Sequence, residues 1–244
     1  MRLVSYKMTH DSGFAPNPFH GYLTLATCKP GIRRSGSRRV GDWIAGFTSA
    51  ALCGDAVGRE RLVYLMRADE IIPLGEYFVD PRFAAKIPRK GSPDTVRRAG
   101  DNIYRSRVPS PRDGNDFEQV PNDCHPPESK DHDVSGRNVL VAHPGNYFYF
   151  GRDALTVPAH VRPDVPPGQS GYGKGTGNPR RVADFVAYVQ GHFDPSLPEY
   201  PEGLNGWPHD SCGGLGYPTA LAPAPLVRGF PSDSRTRRRG GCGR

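Results

Sequence analysis

The sequence predicts an α+β domain with a curved, mostly antiparallel sheet, a few short helices and long loops. Three observations lead there. Strand-like segments come as four strands, then helical turns, then two strands and a late helix, which is not the βαβ alternation of a parallel sheet. Gly (30) and Pro (26) together approach a quarter of the 244 residues, so much of the chain is loop. Only residues 178–191 carry a sustained helical period with signals at both ends.

Each element has its own reason. "RLVSYKM" (2–8) alternates Leu3, Ser5 and Lys7 against Val4, Tyr6 and Met8, which predicts a strand with one buried face. "YLTLATCK" (22–29) is rich in strand formers and ends at Pro30-Gly31. "VGDWIAGFTS" (40–49) enters through a Gly41-Asp42 turn, and its apolar run predicts a central strand. "RLVYLMRADEII" (61–72) reads as one long strand because Val63, Tyr64, Ile71 and Ile72 are β-branched or aromatic. Residues 73–87 predict short helical turns, with Pro73 and Pro81 at first-turn positions. From Pro88 to Arg137 the chain is polar and proline-rich, and only "GDNIYR" (100–105) suggests order. "RNVLVAHPGNYFYFG" (137–151) predicts two short strands about Pro144-Gly145. The late helix has Asn178 as N-cap, Pro179 in the first position, a stripe of Val182, Phe185, Val186 and Val189, and Gly191 as its stop.

The formal charge of +7 is unevenly spread. From Gly213 onward there are six arginines and one acid, Asp233, a net +5 that leaves +2 for the rest. Residues 1–212 therefore read as the folded domain and 213–244 as a low-complexity basic tail without fixed structure. The basic balance by itself is poor evidence that the domain binds nucleic acid. Five cysteines, widely spaced and without a CxxC, argue against a disulfide framework and against structural zinc. No segment approaches a membrane span, and "MRLVSYKMTHDSG" (1–13) has no apolar run long enough for a signal peptide. A reduced, cytoplasmic chain with no membrane partner, no cofactor and no metal is expected.

The chemistry-bearing residues concentrate in "DSGFAPNPFHGYLTLATCKPGIRR" (11–34). Pro16 and Pro18 stiffen this connection, so Asn17, Phe19 and His20 are presented at low ordering cost. Thr24 lies between them and Cys28, and Lys29 and Arg33 supply charge for a phosphate. Cys28 is a candidate nucleophile if a base stands beside it, with His10 and His20 nearest in sequence; a buried inert thiol is the plainer alternative. Trp43 and Tyr149 are candidate stacking platforms or core aromatics. Asp42, Asp101 and Tyr104 are candidate acid–base groups, and Asn102 beside Asp101 suits hydroxyl or amide recognition or an Asx turn. "NDCHPPESKDHD" (122–133) gathers Cys124, His125, Asp131, His132 and Asp133, but at no recurring zinc spacing. "GYGKGTGNPRR" (171–181) suggests an anion cradle before a helix, without the Walker A or dinucleotide pattern.

These segments resemble a family. "DSGFAPNPFHGYLTLATCKPGIRR", "VGDWIAGFTS", "LVYLMRADEII", "DPRF", "GDNIY" and "NVLVAHPGNYFYFG" are together similar to the nucleotide modification associated domain family, second type, over about residues 1–210. The resemblance implies a phage or bacterial protein encoded near base-modification genes, working on or with modified nucleotides or nucleic acid. It carries over no catalytic set. A looser likeness to PUA-like partly open barrels rests on the order "VGDWIAGFTS…LVYLMRADE" and is an analogy of fold only. Three functions stay open: a module that binds modified nucleotides or bases, a transferase or hydrolase acting on them, and an interaction protein without pocket chemistry. An inward-facing acid or thiol in a pocket would favour the enzyme. An open aromatic and basic face would favour the reader.

Overall fold

The computed structural model describes residues 1–34, 36, 38–167, 172–176 and 178–218. In chain order the strands and helices are β1 (Leu3–Lys7), β2 (Leu23–Leu25), α1 (Pro30–Arg33), β3 (Trp43–Phe47), α2 (Ala50–Cys53), β4 (Leu62–Arg67), β5 (Glu70–Pro73), α3 (Leu74–Val79), α4 (Thr95–Arg98), β6 (Tyr104–Ser106), β7 (Phe117–Gln119), α5 (Lys130–Val134), β8 (Asn138–Ala142), β9 (Tyr147–Tyr149), β10 (Tyr172–Thr176) and α6 (Pro179–Gln190). The α+β class holds. The single sheet does not: the strands form a five-stranded sheet in the order β10-β1-β3-β4-β9, a three-stranded sheet β2-β8-β5 and the pair β6-β7. Among these pairings only β1 with β3 is parallel, and no sheet closes into a barrel.

Strands β1, β3, β4 and β9 are buried on both faces, so β1 is apolar or enclosed throughout rather than on one side. Leu3, Trp43, Phe47, Leu65 and Phe148 face α6, whose Val182, Phe185, Val186 and Val189 complete a smaller core. Burial of each of those four side chains contributes on the order of 1.5–3 kcal/mol. The Asn178 side chain accepts from Arg180 N, as expected of an N-cap. The opposite face, with Val4, Tyr6, Ile44, Val63 and Tyr64, packs on β2, β8 and the loops between them to form the main core. The candidate site lies on that side.

Four expectations need correction. Residues 61–72 are two strands in different sheets, because the chain turns at Ala68-Asp69, where Ala68 N bonds Asp42 O and Asp69 N bonds Val141 O. Strand β2 ends at Leu25, since Cys28 (φ 52) and Lys29 (φ 42) are left-handed and Pro30 opens α1. The polar region 88–137 holds α4, β7 and α5 besides β6. Residues 172–176 form β10, antiparallel to β1, rather than a phosphate-cradling loop; 168–171 and 177 lie outside the described residues.

Packing continues past the expected boundary at 212. Tyr217 stacks on Trp207 at 5.2 Å and meets Phe19 at 5.7 Å. Cys124 and Cys212 form a disulfide, which corrects the expectation of an all-reduced chain. The tail residues 219–244 lie outside the described residues. Among the described residues no helix is long and apolar enough to cross a membrane.

Candidate functional site

The site begins with the backbone of "CKP". A residue before proline is barred from the right-handed helical region, so Lys29 cannot extend α1 backwards. Lys29 and Cys28 both take the left-handed conformation instead. For residues with a Cβ this costs about 1–2 kcal/mol each, strain of the kind that surrounding contacts must hold in place. Two contacts do so. Cys28 N donates to Asp133 Oδ1 at 2.7 Å, and Arg33 Nε donates to Cys28 O at 2.8 Å.

Arg33 is fully buried. Its guanidinium also donates to Asp133 O at 2.6 Å and Asn138 O at 2.9 Å. One cation thus joins α1, α5 and the start of β8 through three backbone carbonyls. Gly136 makes room for it: a Cβ there would stand 2.5 Å from the guanidinium.

Asp133, on α5, is buried and accepts from three donors: Cys28 N, Tyr104 Oη at 2.9 Å, and His125 Nε2 at 2.8 Å. The Cys28 thiol, a His125 ring nitrogen and an Asp133 carboxylate oxygen all lie within 4.8 Å of one another. Burial favours a neutral His125 ring, but its hydrogen bonds to Asp133 and Cys28 and their charges outweigh this and push its pKa up to about 10. Burial pushes the Asp133 carboxyl up, yet the bond to His125 and the charges of His125 and Arg33 hold it below its ordinary value. Near neutral pH His125 is an imidazolium between the Asp133 carboxylate and Cys28 Sγ. Cys28 is a free cysteine, half-buried.

The cluster opens on a cavity of about 480 Å³ lined by Tyr6, Phe14, Cys28, Lys29, His125 and His132, among others. Phe14 lies 5.2 Å from the His125 ring, and Lys29 Nζ stands 4.9 Å over the ring of Tyr6. Burial lowers the Lys29 pKa against the opposing pull of Cys28. The proline-braced connection supplies a wall of this cavity through Ser12, Phe14 and Ala15.

The other predicted residues fall elsewhere. Asn17, Thr24, Asp101 and Asn102 meet in a second buried cluster around Lys86, which the sequence reading missed. Asn17 Nδ2 donates to the carbonyls of Gly13 and Ala99, and Asn102 Nδ2 to those of Tyr77 and Phe83. Asp101 accepts from Thr24 at 2.7 Å and Tyr77 at 2.8 Å. Lys86 Nζ reaches Asn17 O at 3.1 Å and Tyr22 O at 3.0 Å, and burial lowers its pKa to about 8 against the pull of Asp101. None of these five, nor Tyr77, lines the cavity. Phe19 is covered by Trp207 and Tyr217, and Trp43 stacks on Phe148 in the α6 core. Tyr149 is buried with its hydroxyl on Asp11. These three offer no open face for a base. Asp42 closes its turn by accepting from Arg39 N and pairing with Arg2. His20 is exposed away from the cavity, and Arg33 braces backbone instead of meeting a phosphate.

Of the catalytic candidates the structure therefore joins Cys28 and Tyr104, the latter through Asp133. Its histidine is His125, not His10 or His20. The available signal was "NDCHPPESKDHD", whose spacing fits no zinc motif because its third member, Cys28, comes from another part of the chain. Thiolate, imidazole and carboxylate are also zinc ligand types. Here both Asp133 oxygens already accept protein donors, so a metal would compete with an existing network.

The architecture so far is that of an α+β domain with a thiol-lined cavity. The model of the nucleotide modification associated domain 2 family matches residues 1–205, and the chain belongs to that family. No curated protein and no solved structure matches it at a significant level.

Proposed function

We propose that this protein is an enzyme that takes a nucleotide or nucleic-acid base into the Cys28 cavity and acts on it by nucleophilic catalysis. The observation that carries this reading is the convergence of Cys28 and His125 on the wall of a cavity of about 480 Å³, with Asp133 buried behind them. Thiol, imidazole and orienting carboxylate are the parts covalent catalysis requires. Membership of a family associated with nucleotide modification supports a nucleotide or base as substrate, and the rings of Tyr6 and Phe14 supply apolar walls for a planar base. In the step, Cys28 Sγ, its proton already resting on His125, attacks an electrophilic carbon as thiolate. The S–C bond forms as a C–X bond breaks, and X leaves with the proton held on His125. Asp133 positions and balances the imidazolium. Water then displaces Sγ, and the proton it gives up returns to His125.

The test is an intact-mass screen of the full chain against free nucleotides and oligonucleotides, each with ordinary and modified bases. A mass increase mapped to Cys28, or turnover that Cys28→Ser abolishes, is the expected result. Binding without adduct or turnover would leave a reader of modified bases in the same cavity. Stoichiometric zinc lost in both Cys28→Ser and Asp133→Asn would replace the nucleophile with a metal centre.

A further inference from the structure

A second cavity, of about 360 Å³, is lined by Arg34, Arg112, Arg137, Asp113, Asp131 and Ser135, among others. No ion pair or side-chain hydrogen bond engages any of the three guanidinium groups among the described residues, although most other arginines of the domain are paired or bound to carbonyls. Arg137 holds a left-handed backbone (φ 60), a strained conformation for a residue with a Cβ. Of the two acids, Asp113 is engaged in capping Asn115 N at 2.8 Å. Asp131 has no side-chain partner among the described residues. Three forks against two carboxylates leave a positive hollow, and planar guanidinium groups match the oxygens of a phosphate.

Its position gives it meaning. Pro30 at the start of α1 lines the Cys28 cavity, and Arg34, one residue beyond the end of that helix, lines this one. The separation along the chain is about one turn, roughly 5.4 Å of rise. The same holds on α5: His132 lines the first cavity, and its neighbours Asp131 and Val134 line the second. Both hollows are lined by residues of or next to the same two helices, on which Arg33 and Asp133 also sit.

We infer that the arginine-lined hollow binds a phosphate of a nucleic-acid strand next to the nucleotide whose base enters the Cys28 cavity. The substrate is then a base within a polynucleotide rather than a free nucleotide. Placement of the base rests on the function proposed above; the phosphate site itself does not.

The test is fluorescence anisotropy of the full chain with a labelled single-stranded oligonucleotide between 50 and 200 mM salt, roughly the range over which phosphate contacts are read. Arg34→Ala, Arg112→Ala and Arg137→Ala are compared singly and combined, with the melting temperature as a check that the exposed substitutions leave the fold intact. Each lost contact lowers the slope of log affinity against log salt by about 0.7 for a single strand. The C-terminal arginines contribute equally to every variant, so the difference isolates this hollow. Asp131→Asn should tighten binding about twofold or more at low salt. An unchanged slope and affinity in the triple variant overturns the site. Loss of nucleoside triphosphate binding with unchanged oligonucleotide binding overturns the strand and leaves a free-nucleotide site. Cys28→Ser keeps the slope, so failure of the catalytic reading would show as a missing adduct while the arginine effect persists.

Discussion

The two buried polar clusters of the main core use similar chemistry and differ in access. The Lys86 cluster combines an ammonium, a carboxylate, two amides and two hydroxyls, and every member is sealed from solvent. The Cys28 cluster combines a thiol, an imidazolium, a carboxylate and a phenol, and it has one open side. In the sealed cluster the polar groups satisfy backbone: Asn17 and Asn102 hold loop carbonyls, and Lys86 binds those of Asn17 and Tyr22. In the open cluster the carboxylate is saturated by protein donors, while thiol and imidazole face space. Burial with the polar groups turned onto backbone makes a scaffold. The same groups beside a cavity make a reagent.

The largest expected effect breaks the open cluster at its base. Arg33→Ala leaves three carbonyls and a buried carboxylate without their cation, and should cost about 3–5 kcal/mol of stability, read by chemical denaturation. A cost under about 1 kcal/mol would show that α1, α5 and β8 are held by other means.

Next comes reactivity. His125→Gln should slow alkylation of Cys28 by iodoacetamide at neutral pH by about 10²-fold, followed by peptide mass mapping. Lys86→Met should leave that rate unchanged. Equal rates in wild type and His125→Gln would separate the thiol from the imidazole.

The pH dependence of stability should then have opposite signs in the two clusters. The folded His125 pKa of about 10 lies above its ordinary 6.5, so its contribution is complete below 6.5 and is lost as pH rises toward 10. The folded Lys86 pKa of about 8 lies below its ordinary 10.5, so the unfolded chain binds more protons between these values and stability rises across that window. The difference between wild type and His125→Gln should isolate a fall that starts near 6.5, and the difference between wild type and Lys86→Met a rise that starts near 8. Profiles that run parallel to wild type would sink both assignments.

The smallest effect is a matched pair of hydroxyl deletions. Tyr104→Phe and Tyr77→Phe each remove one hydrogen bond to a buried carboxylate and should each cost about 1–2 kcal/mol. Only Tyr104→Phe should also alter Cys28 alkylation.

The elements written in local pattern were legible: β1, β3, the α3 turns, β8, β9 and above all α6, with its cap, stripe and stop. What pairs with what was not. Residues 61–72 look continuous because both halves are β-formers, and the break at Ala68-Asp69 is set by hydrogen bonds from Asp42 and Val141. Cys28, Asp101 and Tyr104 drew attention as reactive types in ordered stretches, but only distance along the chain was available to choose the thiol's base. His125 is 97 residues from Cys28, in a segment that reads as loop. Lys86 was hidden in "PRFAAKIP", where an apolar setting around one lysine was the signal. Aromatics that looked suited to stacking, Phe19, Trp43 and Tyr149, were taken up by packing, the ordinary fate of large rings in a domain with two cores.

The guanidinium of Arg33 grips the carbonyl beside the thiol and the carbonyl beside the acid at once. A substrate cannot tug Cys28 away from Asp133 without stripping a dehydrated cation of its ligands. The reactive wall is therefore a fixed anvil, and whatever adjusts to an arriving guest must be the facing side, where Phe14 and its proline-stiffened neighbours stand.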